Sequence, residues 1–401
     1  MLDWLILGGG IHGVHLAARL IGEGGVFPGS VRIVDPAREL LAGWRERAET
    51  TGMTHLRSSA VHHLDVHPMS LQRFAGRRRA RARGLFMPPF DRPALELFDS
   101  HCAHVVKTYG LADLHVRGRA RSCIVGPEGA RVTVDAPDGP FVIDSRRLVL
   151  ALGAGEQPLW PDWAPDNHPR VHHVFTPGFD TWPAAHEREV AVVGGGISAG
   201  QIALKLVARG HRVHLVSRHP MREHLFDSDT GWFGPKNMVR FHRERDLCRR
   251  RQMIHTARHT GSMPPEVHLG LRRAIRRGDV VWHEVDVYAA YASERRVHMH
   301  CSGNKSLEIS QVLLATGFES RRPGGRLVDE LIKSATLPCA PCGYPDIDGA
   351  LCWHPRVHVM GPLAELELGP TSRNIVGARH AAERLVRVAR MERARTLRFV
   401  S

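Results

Sequence analysis

Apolar residues in this chain fall into short unbroken runs, several of them closed by glycine and followed by a helical spacing. Leu5-Ile6-Leu7 runs into Gly8-Gly9-Gly10-Ile11-His12-Gly13. Val190-Ala191-Val192-Val193 runs into Gly194-Gly195-Gly196-Ile197-Ser198-Ala199-Gly200, 186 positions later (194 minus 8). Each run reads as a buried strand, and the spacing after each turn predicts a helix, through about Leu20 in the first and from Ser198 to Arg209 in the second. A second strand then follows in both places. Val31 to Val34 ends in Asp35, and Val213 to Val216 ends in Ser217-Arg218. Strand, glycine turn, helix and strand in that order make the start of a dinucleotide-binding βαβ unit.

The pattern continues with a helical stretch near Ala37 to Arg47, an irregular segment from Thr51 to Arg57, and an amphipathic helix from Arg92 to Tyr109. From Leu114 to Ile143 short strands alternate with turns at Pro127-Glu128-Gly129 and Pro137-Asp138-Gly139, which predicts an antiparallel meander. It leads into a buried strand, Leu148 to Leu152, closed by Gly153-Ala154-Gly155. A Pro- and Trp-rich stretch from Gln157 to Pro183 marks a boundary. Strands near Val280 to Val287 and Val297 to Cys301 lead to Gln311 to Leu314, where Ala315-Thr316-Gly317 parallels Ala151-Leu152-Gly153. A late strand, Val357 to Met360, meets Gly361-Pro362 and a helix with Ser372, Asn374 and Gly377 near its start. The expected fold is α/β, with two Rossmann-like dinucleotide-binding domains, the second inserted in the first. The boundaries are 1–156, 157–316 and a return segment, 317–401.

Each glycine has a separate physical task. Gly8 and Gly194 permit a tight turn, Gly10 and Gly196 let backbone approach a pyrophosphate, and Gly13 lets helix and strand pack closely. The helix N-termini offer free N–H groups and a positive dipole end to phosphates, with Ser198 and Ala199 on the first turn of the second. Asp35 stands where a carboxylate accepts from ribose hydroxyls and repels a 2′-phosphate, as FAD or NAD requires. Ser217-Arg218 puts a hydroxyl and a guanidinium in the matching place, which favours NADP. A solvated surface role for Arg218 is the plainer alternative.

Composition narrows the rest. The chain has 401 residues, 43% of them hydrophobic and 24% charged, and no 18-residue apolar run that predicts a membrane span. Its start runs straight into Leu5-Ile6-Leu7, and its seven cysteines are an odd, scattered set. Both features lead to the expectation of a cytoplasmic protein without a secretory leader. The net charge is +14, and the most basic run, Arg73 to Arg83, lacks the interleaved aromatics of a single-strand binder, so nucleic acid is not the expected partner. His62, His63 and His67 approach metal-ligand spacing without a fuller ligand set, and no metal is expected. Cys339-Ala340-Pro341-Cys342 is a C-x-x-C motif that suits a redox dithiol or a structural loop.

The first glycine motif, Gly194 to Ala199 and Leu314-Ala315-Thr316-Gly317-Phe318 together resemble the two-dinucleotide-binding flavoproteins. The likeness is greatest to the class B flavin monooxygenases: flavin-containing monooxygenases, Baeyer-Villiger enzymes and ornithine/lysine N-hydroxylases. Gly52-Met53-Thr54-His55-Leu56 and the Gly361-Pro362 helix unit resemble the N-hydroxylases in particular. The Baeyer-Villiger fingerprint has no clear copy here, and Gly52 to Phe74 only loosely matches the aromatic, Gln-rich segment of the N-hydroxylases. The resemblance implies FAD on Gly8, Gly10, Gly13 and Asp35, and NADPH on Gly194, Gly196, Ser198, Ala199, Ser217 and Arg218. Thr316, Gly317, Gly361 and Pro362 complete the cofactor contacts. It implies hydride transfer from NADPH to FAD, then oxygen transfer from a C4a-hydroperoxyflavin to a small nucleophilic substrate, with N-hydroxylation of an amine favoured. Met53, Thr54, His55 and Arg57 are the candidates beside the flavin. Two alternatives stay open: an NADPH-dependent disulfide reductase using Cys339 and Cys342, and a basic flavoprotein that binds nucleic acid as a redox sensor.

Overall fold

The computed structural model of the chain describes residues 1–76, 83–166, 168–187 and 189–400, with backbone alone for 395–400. The first unit opens with β1 (Leu2–Leu7), α1 (Ile11–Gly22) and β2 (Val31–Asp35), followed by α2 (Ala42–Thr51) and α3 (Leu95–Thr108). β3 (His115–Arg117) comes next. The meander is β4 (Arg119–Val125), β5 (Ala130–Ala136) and β6 (Gly139–Leu150). The second unit holds β7 (Val171–His173), β8 (Glu189–Val193), α4 (Ile197–Ala208), β9 (Arg212–Ser217), α5 (Leu247–Ala257), α6 (Pro265–Arg277), β10 (Val280–Glu284) and β11 (Gln311–Leu314). The chain then returns with β12 (Cys352–His354), β13 (Val357–Val359) and α7 (Ile375–Val400).

The first sheet runs β12-β13-β6-β1-β2-β3, and the second runs β10-β9-β8-β11-β7 with every pairing parallel. In the first sheet β1 is parallel to β2 and β6, and β13 is parallel to β6. Helices and loops cover both faces, so the central strands are apolar throughout. Leu5, Ile6, Val190 and Val192 are fully buried. The meander joins antiparallel through β5 and the first half of β6. The chain thus leaves the first sheet at Leu150, builds the second unit, and comes back to pair Val357 with Leu148. α7 then packs along α1 and closes the first core. Among the described residues no helix is long and apolar enough to cross a membrane.

Element boundaries differ from the sequence expectations in three places. The helix expected from Arg92 starts at Leu95, because Arg92-Pro93 pairs with Phe86-Met87 in a short antiparallel ladder. The helix expected from Ala37 starts at Ala42, after Leu41 takes a left-handed conformation at φ 66°. The stretch between Ser217 and Val280, for which no element was expected, contains helices at Pro235–Arg243, α5 and α6.

Candidate functional site

Both glycine turns lie at the carboxyl ends of central strands where the sheet order reverses, the usual ligand crevice of an open α/β sheet. Their geometry repeats closely. Gly8 has φ +117°, and a Cβ there would stand 2.5 Å from the Ala151 carbonyl oxygen. Gly194 has φ +148°, and a Cβ there would stand 2.5 Å from the Ala315 carbonyl oxygen. A Cβ on Gly13 would lie 1.9 Å from the Gly8 oxygen. Gly10, by contrast, has nothing within 4 Å of that position. Gly10 and Gly196 are the N-caps of α1 and α4, neither helix end has a side-chain cap, and neither first turn carries an acid. Bare N–H groups over an open glycine fit a pyrophosphate.

The strand ends differ as the sequence suggests. Asp35 accepts from the Gly9 N–H at 2.7 Å and from the Ala37 N–H at 2.9 Å. Each carboxylate oxygen keeps acceptor capacity for a ribose hydroxyl. Ser217 takes the corresponding place behind Gly195, where a Cβ would stand 2.5 Å from its hydroxyl. That hydroxyl donates to the His219 carbonyl, and Arg218 is exposed beside it. His219, which sequence reasoning missed, packs its ring against both Gly195 and Gly261. No glycine spacing or charge pattern announced it. Ser198 and Ala199 lie on the first turn of α4, Ala199 buried.

The return segment closes the first cradle. The Met360 N–H donates to the Leu150 carbonyl at 2.9 Å, and Gly361 then turns at φ +63° against the His12 ring, with Pro362 buried behind it. Thr316 and Gly317 fasten the other crossing: the Thr316 hydroxyl donates to the Leu159 carbonyl, and the Gly317 carbonyl accepts from the Leu159 N–H. These two therefore hold the linker between the units.

The loop after α2 binds the units together. The Arg57 guanidinium donates to the carbonyls of His224, Leu225 and Phe226 at 2.7 to 3.1 Å and to the Ser262 hydroxyl at 2.8 Å, all in the second unit. Burial lowers its pKa to about 10 against the pull of Asp227, which leaves it a cation. Arg92, 1% exposed, forms two hydrogen bonds with Glu266 at the start of α6. Lys205 of α4 donates to the Glu49 and Thr50 carbonyls at the end of α2. Of the other loop candidates, Met53 packs on the first core, Thr54 is exposed, and His55 donates from Nε2 to the Gly84 carbonyl at 3.1 Å.

A cavity of about 600 Å³ opens between residues 61–68, the end of α1 and α7, with His62, Val376, His380 and, from the second unit, Phe233 on its walls beside the charged Arg19, Glu23, Arg379 and Glu383. Arg379 is spent on the carbonyls of His63 and Asp65. Burial lowers His62 to about 4 and also lowers His380, so both rings are neutral near pH 7.

Cys339 and Cys342 are free and exposed, and burial around the Cys339 thiol raises its pKa, the reverse of what a nucleophilic thiolate needs. His63 is spent on the Pro68 carbonyl and the Asp65 N–H, and among the described residues no three His, Cys, Asp or Glu side chains gather as metal ligands. The basic run falls largely on Arg77 to Ala82, outside the described residues.

Residues 5–155 match an FAD-NAD(P)-binding family model, and residues 127–269 match the L-lysine 6-monooxygenase/L-ornithine 5-monooxygenase model. Each model covers less than half of the chain, and together they run from residue 5 to residue 269. Its fold is that of an ornithine N-hydroxylase from Kutzneria sp. 744, with TM-score 0.80, 16% identity, and 98% of this chain and 100% of that one covered. An L-lysine 6-monooxygenase from Pseudomonas syringae aligns with TM-score 0.71 and 18% identity over 98% and 100% of the two chains. A bacillithiol disulfide reductase from Bacillus cereus shares the fold at TM-score 0.64 and 15% identity, over 98% and 99%. No curated protein matches the chain by sequence. The two cradles fit the FAD and nicotinamide dinucleotide that the FAD-NAD(P)-binding model describes.

Proposed function

We propose that this chain is a flavin monooxygenase that takes hydride from NADPH rather than NADH and N-hydroxylates a small amine with O₂. The observation that carries the reading is the match of residues 127–269 to the lysine/ornithine monooxygenase model in a chain with two dinucleotide cradles. FAD, when bound, supplies the hydride acceptance and the oxygen activation. The protein's own residues bind, align and exclude water. Asp35 receives the unphosphorylated ribose of FAD. Ser217 and Arg218 receive the 2′-phosphate of NADPH, where an acid would repel it. Met53, Thr54 and His55 form one wall of the reaction chamber, and Arg57 holds that wall against the second unit. The cavity beside His62 and His380 receives the amine. Its neutral imidazoles offer acceptors to N–H groups, while Phe233 and Val376 supply apolar wall.

Oxygen uptake and NADPH oxidation by the holoenzyme, measured across ornithine, lysine and aliphatic diamines, test this reading. One amine should raise both rates together and yield a hydroxylamine. NADPH oxidation that follows an added disulfide instead, and is lost in Cys339→Ser, would favour the reductase reading.

A further inference from the structure

Polar atoms of three side chains near Gly361 are shut off from solvent and poorly partnered. Both ring nitrogens of His12 lie out of solvent with no well-formed hydrogen bond, only the Arg373 backbone lying close enough to act on the ring, and the Thr371 and Ser372 hydroxyls have no partner. Thr371 and Ser372 are 0% and 1% exposed. Buried polar groups nearly always find partners, and one left without them costs stability. Three such groups in one place mark a surface completed by something other than protein.

The sheet order says which part of FAD reaches them. Asp35 ends β2, on one side of β1, and fixes the adenosine half by its ribose. The open Gly10 and the bare start of α1 put the pyrophosphate over β1. Gly361 follows β13, on the other side, beyond β6. β2 and β13 stand three strand spacings apart, about 14 Å. A dinucleotide that starts at Asp35 and crosses at Gly10 therefore brings its next stretch, the ribityl chain, to His12, Thr371 and Ser372. Burial lowers the His12 ring to about 4, against an upward pull from the Arg373 backbone, so it is neutral near pH 7 with one donor and one acceptor. A neutral imidazole and two hydroxyls match a polyol better than they match a phosphate.

We propose that His12, with Thr371 and Ser372, hydrogen-bonds the ribityl hydroxyls of FAD. The inference rests on FAD occupying the first cradle and is independent of which substrate is oxygenated. It gives His12→Phe two effects of opposite sign. The FAD-free protein should melt no lower than the parent, because no more than a poorly formed contact with the Arg373 backbone is lost. FAD should bind roughly tenfold more weakly, as read from quenching of its fluorescence on titration. His12→Gln should recover most of that affinity. Thr371→Val should repeat the pattern, which keeps the test alive if the Phe ring perturbs folding. The tenfold penalty should also vanish with one of the 2′-, 3′- or 4′-deoxyribityl analogues of FAD.

Unchanged FAD affinity in both His12→Phe and Thr371→Val would overturn the proposal, as would a penalty undiminished with all three analogues. A parent protein that binds no FAD would instead refute the assignment of the first cradle.

Discussion

The Arg92 guanidinium and the Glu266 carboxylate meet in two hydrogen bonds, 2.8 and 2.9 Å long, that join the first nucleotide unit to the second. The two ends are not equivalent, because Arg92 is buried while Glu266 keeps 28% of its side chain exposed. Removing the acid leaves a buried cation alone, whereas removing the cation leaves an acid that water can reach. Glu266→Ala should therefore cost more stability, about 3 kcal/mol, than Arg92→Met. Burial raises the Glu266 carboxyl, but the Arg92 hydrogen bonds and charge outweigh it and hold it below the ordinary range. This contribution is full above the unfolded carboxyl pKa and is lost as pH falls through the lower folded value. Thermal melts of both variants at pH 7 check the order; Arg92→Met melting below Glu266→Ala would contradict the asymmetry.

Gly10 and Gly13 should fail in different ways. A methyl on Gly13 meets the Gly8 oxygen at 1.9 Å, so Gly13→Ala breaks the turn itself and little folded protein is expected. A methyl on Gly10 meets nothing within 4 Å, so Gly10→Ala should fold as well as the parent and lose FAD. Circular dichroism alongside the 450 nm absorbance separates the two. Full yellow colour in Gly10→Ala would place the pyrophosphate elsewhere.

The second cradle should choose its nucleotide through Arg218. Arg218→Ala should raise the KM for NADPH by roughly tenfold or more and leave that for NADH nearly unchanged, since only one carries the phosphate. Ser217→Asp should go further and reverse the preference, because it restores the carboxylate that Asp35 supplies in the first cradle. Equal losses for both nucleotides would remove Arg218 from phosphate recognition.

Acid should unfold the protein over an unusually high range. Burial lowers His12, His101, His173 and His358 to about 4 and His63 to about 3, from 6.5. The unfolded chain therefore binds more protons than the folded one between those values. Stability is complete above about pH 7 and falls as pH descends toward 4, by at most roughly 3 kcal/mol for each such ring. Urea midpoints measured from pH 7.5 to 4.5 should drop steadily. A flat profile down to pH 5 would mean that the rings titrate normally.

The nucleotide units were legible because their code is local. A strand, its glycine turn and the following acid or hydroxyl lie within about 30 residues of one another, and parallel strands buried on both faces must be apolar. The clamps were not legible. Arg57 finds its acceptors 167 to 205 residues away, and Arg92 finds Glu266 174 residues away. Nothing in a charge pattern reports such distances. The same limit hid the use of the arginines, since Arg57, Arg356, Arg379 and Arg390 all donate to distant backbone carbonyls. Some of the basic charge is thus fastening between distant segments. The two helices from Pro235 to Ala257 bury only Phe241 and Ile254 between them, so their sequences lack the apolar runs that mark the strands.

Because β13 comes from the end of the chain and sits beside β6, the two units are finished at different times during synthesis. A ribosome that has released residue 320 has already delivered every strand of the second sheet, while the first still lacks β12, β13 and α7. The nicotinamide half is born complete and the flavin half waits for it, so nascent chains stalled at that length should already resist protease across residues 189–314 and remain cleavable before residue 150.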